Sequence, residues 1–418
     1  VVTAAIADDA ITSALIADDA VVTAAIADNA ITNALMADDA VGVAELSATG
    51  TASSSTYLRG DNSWATVSTT DTKSFRNLII NGACLIAQRG TSSTSHGYAT
   101  VDRLKPYETG TDCGTKTYTQ SDVGAGDAYD AGFRKCFKVT TSQAGNTSTA
   151  SDSFKFWATR LEAQDIACSG WDYTDSNSKL ALSFWIKAST ADTFVLQLQT
   201  SDGTSKKYNI PVPATTSWTK ITKIIPGHAD LSFDTNTDQG LSISLFIATG
   251  SDLAGSVTQE SWVASTTAAM SASVINTWIA AGAGSVETTG WQLEVGSAAT
   301  DFEHRSYAEE LFRCQRYLYR IEGGTYDRWG YAYADATNRA RAMIFLPTPL
   351  RASPTVTTNN FTVNENSGGT TACNYNNNLD AGLCEITYTH GSGVFTVATM
   401  YQSFFYGSGG YLNLSAEL

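Results

Sequence analysis

Apolar residues recur every five positions through the first part of the chain, inside four ten-residue repeats. The repeats VVTAAIADDA, ITSALIADDA, VVTAAIADNA and ITNALMADDA cover residues 1–40, and a degenerate fifth follows. A step of five residues turns an α-helix by about 500°, which spreads the repeated side chains around the helix. In a continuous strand, the same step places successive repeated side chains on opposite faces. The pattern therefore disfavours a straight helix, a heptad coiled coil and a flat strand. It indicates a compound repeat whose local conformation stays open.

The repeated apolar positions need partners from other chains, because one repeat has too little apolar surface to close a core of its own. We therefore predict that residues 1–46 form a fibrous shaft made of several chains. Its eight carboxylates predict a solvated acidic surface, or alternatively a ring that binds a cation such as Ca²⁺, and we assign no metal site. The predicted core positions of the shaft are Ile6, Ile11, Ile16, Val21, Ile26, Ile31 and Met36.

A change in composition marks the end of the shaft. Residues 47–72 are rich in Ser, Thr and Gly, and we interpret them as a neck or linker. From 73 to 304, short alternating or apolar runs recur between turn signals, with no helical pattern between them. In LSFWIKA, Phe184 and Ile186 fall on the opposite face from Trp185. This pattern predicts a two-sheet β-sandwich of jelly-roll type, similar in its aromatic content to carbohydrate-binding modules.

Residues 305–418 read as a second, smaller β-rich domain. A Gly-Gly pair at 323–324 and the glycines of MYQSFFYGSGGYLNLSAEL each predict a hairpin. Trp329, Tyr331 and Tyr333 alternate along one predicted strand, and we interpret their common face as core or as a contact between chains. The predicted fold class is therefore mainly β: a repetitive shaft, a jelly-roll-like sandwich and a smaller C-terminal β domain.

Charge and cysteine usage exclude several classes of protein. With 26 Lys+Arg against 41 Asp+Glu, the formal net charge is −15, so the chain lacks a basic footprint for nucleic acid or for anionic lipid. No apolar run approaches the about 20 residues that cross a bilayer. The seven cysteines are scattered, with no C-x-x-C pair, which predicts neither a zinc site nor an essential disulfide. Together with the absence of a signal-peptide pattern, this favours folding in a reducing cytoplasm.

Motifs that carry catalytic chemistry are missing from the sequence. There is no GxGxxG after a strand, no P-loop, no HExxH and no GxSxG, and the four histidines are scattered. We therefore predict no catalytic residues, no cofactor and no enzymatic activity. A glycan depolymerase is kept as an alternative, because the separation of a pair of hydrolytic carboxylates is a property of the fold.

Two segments resemble the tail fibres of tailed bacteriophages, particularly short-tailed marine or cyanophage-like phages. The repeats followed by GTASSSTYLRGDNSW resemble the stalk and neck of these fibres. WQLEVGSAATDFEHRSYAEELFRCQRYL, at 291–318, is similar to a segment that joins a β-sandwich to the distal part of phage receptor-binding proteins. Within it, Ser306 and Glu309 have the spacing of a capping box, which predicts a short helix.

The resemblance implies a homotrimer in the virion tail, folded in the host cytoplasm before assembly. Such a fibre would join tail or adaptor proteins on its N-terminal side and attach to a host cell-surface polysaccharide, lipopolysaccharide or capsule. A tailspike-type depolymerase is the first alternative. A purely structural fibre or a bacterial surface adhesin is the second.

A fibre held at its N-terminus presents its C-terminal end to the cell, so we expect glycan binding on distal loops. Amides supply paired donors and acceptors, and tyrosine rings cover the apolar face of a sugar, although the same residues also suit ordinary solvated turns. Most candidates lie in an Asn-rich segment predicted as a polar loop, two lie near the C-terminus, and one lies in a turn of the sandwich predicted to be exposed. They are Tyr375, Asn376, Asn377 and Asn378, then Tyr406 and Tyr411, and finally Trp171.

Overall fold

The computed structural model of the chain describes residues 12, 48–54, 56–66, 76–109, 116–141, 151–265, 271, 273–275, 284–363, 372–380, 383–390 and 392–418, with the backbone alone for 372–380. The predicted shaft core lies outside these residues, so the multichain shaft stays a prediction. The positions concerned are Ile6, Ile11, Ile16, Val21, Ile26, Ile31 and Met36.

The chain divides into two units, Val1–Thr72 and Lys73–Leu418. In the first unit, β1 (Thr56–Leu58) and β2 (Trp64–Thr66) form an antiparallel pair. Asn62 closes the turn between them with a positive φ of 59°, which asparagine tolerates better than most residues. The described part of the neck therefore contains a short hairpin.

Two six-stranded antiparallel sheets form a sandwich in the second unit. Its strands are β3 (Ser92–Ser93), β4 (Lys105–Thr109), β5 (Lys116–Asp122), β6 (Lys135–Thr141), β7 (Phe154–Glu162), β8 (Lys179–Ala188), β9 (Asp192–Thr200), β10 (Lys206–Ala214), β11 (Thr219–Pro226), β12 (Gln239–Thr249), β13 (Trp262–Ala264) and β14 (Ser285–Val295). The first sheet has the order β13-β10-β9-β12-β7-β4 and the second the order β11-β8-β14-β6-β5-β3. The short helices α1 (Asp127–Asp130) and α2 (Ala163–Ala167) and one 3₁₀ turn (Ser251–Leu253) lie between the strands.

Side chains alternate between the core and the opposite face along these strands. Phe184 and Ile186 are fully buried, whereas Trp185 is only partly buried on the other face, as their alternation predicts. Phe137 of the second sheet meets Trp157 of the first edge-on, with ring centroids 5.3 Å apart. One hydrophobic core thus joins both sheets, and each large apolar side chain buried in it contributes about 1.5–3 kcal/mol. The predicted jelly-roll-like sandwich in a mainly β chain is confirmed.

Nine further strands of the described residues form the C-terminal part of the second unit, which we call the tip. They are β15 (Leu318–Gly323), β16 (Arg328–Ala336), β17 (Arg339–Phe345), β18 (Thr355–Asn359), β19 (Phe361–Val363), β20 (Ala372–Asp380), β21 (Leu383–Thr389), β22 (Met400–Phe405) and β23 (Gly410–Ser415). One sheet has the order β15-β23-β18, and the other has the order β19-β22-β16-β17-β21-β20. Phe405 and Leu412 belong to a core cluster that joins the two sheets.

Both Gly-rich turns predicted as hairpins connect the two tip sheets instead. β15 and β16 lie in different sheets, and so do β22 and β23, so the hairpin prediction is wrong at both turns. The glycines are needed for close packing, because a Cβ on Gly410 would lie 2.6 Å from Cβ of Phe405 and one on Gly323 would lie 2.8 Å from the Phe405 ring. Turn residues predict where the chain reverses, but not the sheet in which the next strand pairs.

Helix α3 (Tyr307–Gln315) links the sandwich to the tip. The hydroxyl of Ser306 accepts a hydrogen bond from the backbone N–H of Glu309 at 3.2 Å, which confirms the predicted N-cap. The Glu309 carboxylate pairs with Arg313 at 3.1 Å. No helix in the described part of the chain has the length and apolar character needed to cross a membrane.

A buried carboxylate holds the tip against the sandwich. Glu162, at the end of β7, is fully buried and accepts two hydrogen bonds from Arg316, one from the Tyr317 hydroxyl and one from Gln164, each 2.7 Å long. Burial alone raises the pKa of this carboxyl, but the hydrogen bonds, first from Arg316 and then from Tyr317, outweigh burial and lower it. Glu162 is therefore ionised at neutral pH. We call Glu162, Arg316 and Tyr317 the junction network.

A second connection lies where the chain returns from the tip. Glu417 pairs with Arg89 at 3.1 Å and with the buried guanidinium of Arg103. The backbone oxygen of Leu418 accepts a hydrogen bond from Arg160 at 2.7 Å. The tip is therefore bound to the sandwich both where the chain enters it and where the chain leaves it.

Candidate functional site

The segment predicted as a distal polar loop is a strand. It forms β20 at the edge of the six-stranded tip sheet, pairs with β21 and carries two register shifts. Backbone pairing with a neighbouring strand has overridden the turn preference of asparagine, so the loop prediction is wrong. A role in glycan binding stays a prediction for the residues of this strand, which are Tyr375, Asn376, Asn377 and Asn378.

The polar turn around Trp171 predicts an exposed aromatic residue, and the structure contradicts this prediction. The Trp171 side chain is 3% exposed, and its ring lies 6.2 Å from those of both Tyr173 and Phe233. The indole N–H donates to the Ser178 carbonyl oxygen at 3.3 Å. The polar turn folds back onto the sandwich because burial of the large apolar area of the indole ring stabilises the fold. Trp171 therefore belongs to the core.

The two C-terminal candidates have different environments. Tyr411 is partly buried on β23, and the guanidinium of Arg320 lies 4.2 Å above its ring, so Arg320 occupies a place where a sugar would stack. Tyr406 is exposed, and its N–H donates to the Asn360 carbonyl oxygen at 2.9 Å. Tyr406 therefore remains accessible to a ligand, whereas one face of Tyr411 does not.

Two tyrosines project from the exposed face of the six-stranded tip sheet. Tyr331 and Tyr333 are 60% and 46% exposed. Because they lie two residues apart on β16, they share a face and are separated by about 6.6 Å along the strand. Gln402 lies directly opposite Tyr331 on β22, and Arg341 lies opposite Tyr333 on β17. The sheet thus presents two rings between polar side chains.

Trp329 does not share this face, although strict alternation along β16 predicts that it does. The register of β16 against β22 shifts between Arg328 and Gly330. Trp329 packs instead on the tip core, with its ring 5.7 Å from that of Phe361. The irregularity separates one core residue from two exposed rings, so the prediction of a common face is wrong.

A third exposed tyrosine lies just before β16 and is held in an unusual backbone conformation. Tyr326 is 66% exposed and has a φ of 66°, the left-handed region that bulky residues avoid. Its N–H donates to the Phe405 carbonyl oxygen at 2.5 Å, and its ring stacks on Phe404 at 6.4 Å. Strained residues of this kind concentrate at functional sites, because strain persists only where surrounding contacts maintain it.

Polar groups lie beside these rings. Arg328 donates to the side-chain oxygen of Gln402 at 2.6 Å, which orients the Gln402 amide. The combination of exposed rings with a guanidinium and an amide offers both stacking and hydrogen bonding. We call Tyr326, Arg328, Tyr331, Tyr333 and Gln402 the tyrosine surface.

An ion-pair network lies next to the tyrosine surface. Asp335 pairs with Arg339 at 2.8 Å and with Arg341 at 2.7 Å, and Arg341 also pairs with Glu385 at 2.8 Å. The hydrogen bond from Arg339, followed by that from Arg341, outweighs burial and holds the pKa of Asp335 below its usual range. Asp335 therefore accepts hydrogen bonds at neutral pH and is unsuited to proton donation.

The same sheet also exposes apolar side chains. Met400 lies opposite Tyr333, and Met343 and Phe345 project from β17. Aromatic, methionine and arginine side chains together are also typical of contacts between proteins. A test of this face must therefore measure ligand binding and oligomeric state separately.

The carboxyl group whose pKa is raised most among the described residues is not accessible to a substrate. Burial raises the pKa of Asp102 to about 6, but this residue is enclosed and accepts a hydrogen bond from the Gln88 N–H at 3.1 Å. Within the described ranges, no group of three or more His, Cys, Asp or Glu side chains is arranged to hold a metal ion. The described free thiols are Cys84, Cys136, Cys168, Cys314 and Cys384.

Comparisons with known proteins give no sequence relative. No family model matches the chain, and no curated protein matches it in sequence. Solved structures similar to it include the enzymatically active domain of tailspike protein 4 of bacteriophage CBA120, at 11% identity and a TM-score of 0.29, covering 53% of this chain and 21% of that one. The family 11 carbohydrate-binding module of a Clostridium thermocellum cellulase has 12% identity and a TM-score of 0.25, covering 51% of this chain and 98% of that one.

A xylan-binding domain from Paenibacillus barcinonensis is also similar, at 10% identity and a TM-score of 0.23, covering 54% of this chain and 100% of that one. The chain spans only about a fifth of the tailspike domain. Identities and TM-scores this low carry no argument about function, which has to rest on the residues of the site.

Proposed function

We propose that the chain binds a cell-surface glycan without cleaving it, through the tyrosine surface of the tip. The observation that carries this proposal is Tyr326, a bulky residue kept in a left-handed conformation with its ring exposed. Its ring stacks on Phe404, which lies two residues from Gln402 on β22. A tyrosine side chain has only two χ angles, so these rings lose little conformational entropy when a ligand binds.

The chemistry of the tyrosine surface suits a saccharide. The apolar C–H face of a pyranose ring packs on a tyrosine ring, while the phenol, the Gln402 amide and the Arg328 guanidinium are positioned to exchange hydrogen bonds with hydroxyl groups. A single surface of this kind binds weakly. Several linked copies that engage a repetitive polymer gain about 10²–10⁴ in avidity, provided that their spacing matches the polymer.

We place this activity in a homotrimeric tail fibre of a tailed bacteriophage, assembled through the repeats of residues 1–46. The support for this context is the resemblance of the repeats, of GTASSSTYLRGDNSW and of residues 291–318 to phage tail fibres. In this proposal the fibre folds in the host cytoplasm and joins tail or adaptor proteins on its N-terminal side. Its receptor is lipopolysaccharide or capsule.

A glycan screen with a parallel viscosity assay tests the function. We expect the full chain to bind a subset of immobilised bacterial lipopolysaccharides and capsular polysaccharides, and to leave the viscosity of a bound polymer unchanged. A fall in viscosity would instead identify a depolymerase. Absence of binding to all polysaccharides from cells that the fibre adsorbs to would contradict the proposal.

The predicted shaft can be tested by oligomeric state. Ile16→Asp combined with Ile26→Asp should reduce the sedimentation coefficient of the full chain, because each buried isoleucine is worth about 1.5–3 kcal/mol and a buried unpaired carboxylate adds a further penalty. Thr12→Asp with Thr23→Asp is the matched control, since it adds the same charge away from the predicted apolar row. Equal effects of the two pairs in analytical ultracentrifugation would refute the predicted core.

A further inference from the structure

A cavity of 290 Å³ opens at one side of the sandwich, remote in sequence from the tyrosine surface. It lies where β10 of the first sheet faces β11, the edge strand of the second. β13 pairs with β10 over only three residues, so among the described residues most of β10 has no strand beside it on this side. The cavity is lined by Tyr208, Ile210, Thr222, Lys223, Ile224 and Glu260.

The floor of the cavity is apolar and its rim is charged. Tyr208 and Ile210 belong to the sandwich core, and Ile224 is exposed at the entrance. At the rim, the ammonium group of Lys223 pairs with the Glu260 carboxylate at 2.7 Å, with both side chains partly exposed. The cavity therefore combines an apolar surface with one strong donor and one strong acceptor.

Glu260 is held at this rim by its backbone. Its φ is 54°, in the left-handed region where glycine is favoured, and its N–H donates to the Asn209 carbonyl oxygen at 2.8 Å. A turn that served only to guide the chain would be more stable with glycine or asparagine here. The strained glutamate is the second observation, besides the cavity, that indicates a binding role.

Tyr208 supplies a further donor. Burial, followed by the charge of Glu260, raises the pKa of its phenol, so the hydroxyl keeps its proton at neutral pH. Its ring also forms part of the apolar wall. Phenol, ammonium and carboxylate groups around an apolar wall match a polyol ring, which has hydroxyl groups at its edge and C–H groups on its faces.

We propose that this cavity is a second saccharide site, which holds a single neutral sugar ring such as the end of a glycan chain. The volume lies just below the range of about 300–1,000 Å³ found for small-molecule pockets, which limits the ligand to a small ring. The opposite charges of Lys223 and Glu260 cancel, which favours a neutral ligand over a uronate or an amino sugar. This inference does not rest on the proposed function of the tyrosine surface.

Ligand-observed NMR on the full chain tests the proposal, with the methyl glycosides of glucose, mannose and galactose as probes. The tyrosine surface is weakened first by Tyr326→Ala with Tyr331→Ala, and the variants at the cavity then decide where the remaining binding takes place. In this background we expect saturation transfer to at least one glycoside. Glu260→Gln and Lys223→Gln should each raise its Kd at least tenfold, whereas Lys220→Gln, an exposed lysine of the same strand, should leave it unchanged.

Thr222→Trp provides a second variant that keeps every charged group. Thr222 is exposed at the cavity, so a tryptophan there fills the opening without removing a core contact. We expect loss of the saturation transfer at an unchanged Tm. The proposal is overturned if no glycoside binds the background variant, or if binding persists unchanged in Thr222→Trp.

Discussion

Alanine at both Tyr326 and Tyr331 should reduce the affinity of the tip for its glycan by about tenfold or more per subunit. Each exposed ring offers a stacking interaction of about 0.5–1.5 kcal/mol beyond the area that it buries, and 1.4 kcal/mol is a factor of ten. Loss of two rings in every copy should lower adsorption of the assembled fibre further, because the copies act together. Titration of the glycan identified in the screen measures the first effect, and a cell-adsorption assay measures the second.

Tyr307→Ala is the matched control for the tyrosine surface. Tyr307 is as exposed as Tyr331, at 60%, but it lies on α3, away from the tip sheet. We expect it to bind as the wild type does. An equal loss of affinity in the control, or normal binding by the double variant, would contradict the assignment. If only Tyr375→Ala with Asn376→Ala lost binding, β20 would be the glycan-binding site instead. Dissociation of the oligomer in the double variant would identify a contact between copies.

Glu162→Ala should lower the free energy of unfolding by about 3 kcal/mol. Removing one partner of a buried ion pair costs about 3–5 kcal/mol, and the lower end applies because Arg316 keeps part of its hydration. The variant also leaves the buried Tyr317 hydroxyl without its acceptor. Urea unfolding of the full chain, followed by tryptophan fluorescence, measures this loss, since the sandwich contains most of the tryptophans.

A glutamate with a partner nearer the surface provides the comparison. Glu309→Ala removes the pair with Arg313 on α3 and should cost about 0.5 kcal/mol or less.

Because the pKa of Glu162 is lower in the folded state, the stabilisation from Glu162 is present above the ordinary glutamate pKa of about 4.3 and is lost as the pH falls below it. Glu162→Gln should therefore weaken this acid dependence. Equal losses for Glu162→Ala and Glu309→Ala would show that the junction network is not a main support of the fold.

Local patterns in the sequence predict the strands and the cap correctly. The alternation around Trp185 places the neighbouring Phe184 and Ile186 in the core, because a strand that covers a core must face it with every second residue. Ser306 caps α3, because the N-terminal N–H groups of a helix need acceptors wherever the helix lies. These features depend on residues close in sequence, so the sequence alone is sufficient to predict them.

Features that depend on distant partners are not predictable in the same way. The glycines near Phe405 mark chain reversals, but the choice of sheet depends on packing between remote strands. Trp171 looks exposed because its neighbours in sequence are polar, while its neighbours in space, such as Phe233, are aromatic. Tyr331 and Tyr333 of the tyrosine surface are visible in RWGYAYADA as alternating rings. The shift near Gly330, which separates exposed rings from a buried one, is not visible there.

The two connections between the tip and the sandwich have a mechanical consequence. If the molecule is pulled between a bound receptor and its N-terminal side, the tension divides between the entry at Arg316 and the return at Glu417. β23 is also the central strand of its sheet, so its hydrogen bonds to β15 and β18 resist shear on both sides. Separation of the tip from the sandwich would require both attachments to break together, whereas a domain held by one linker has only one attachment to lose.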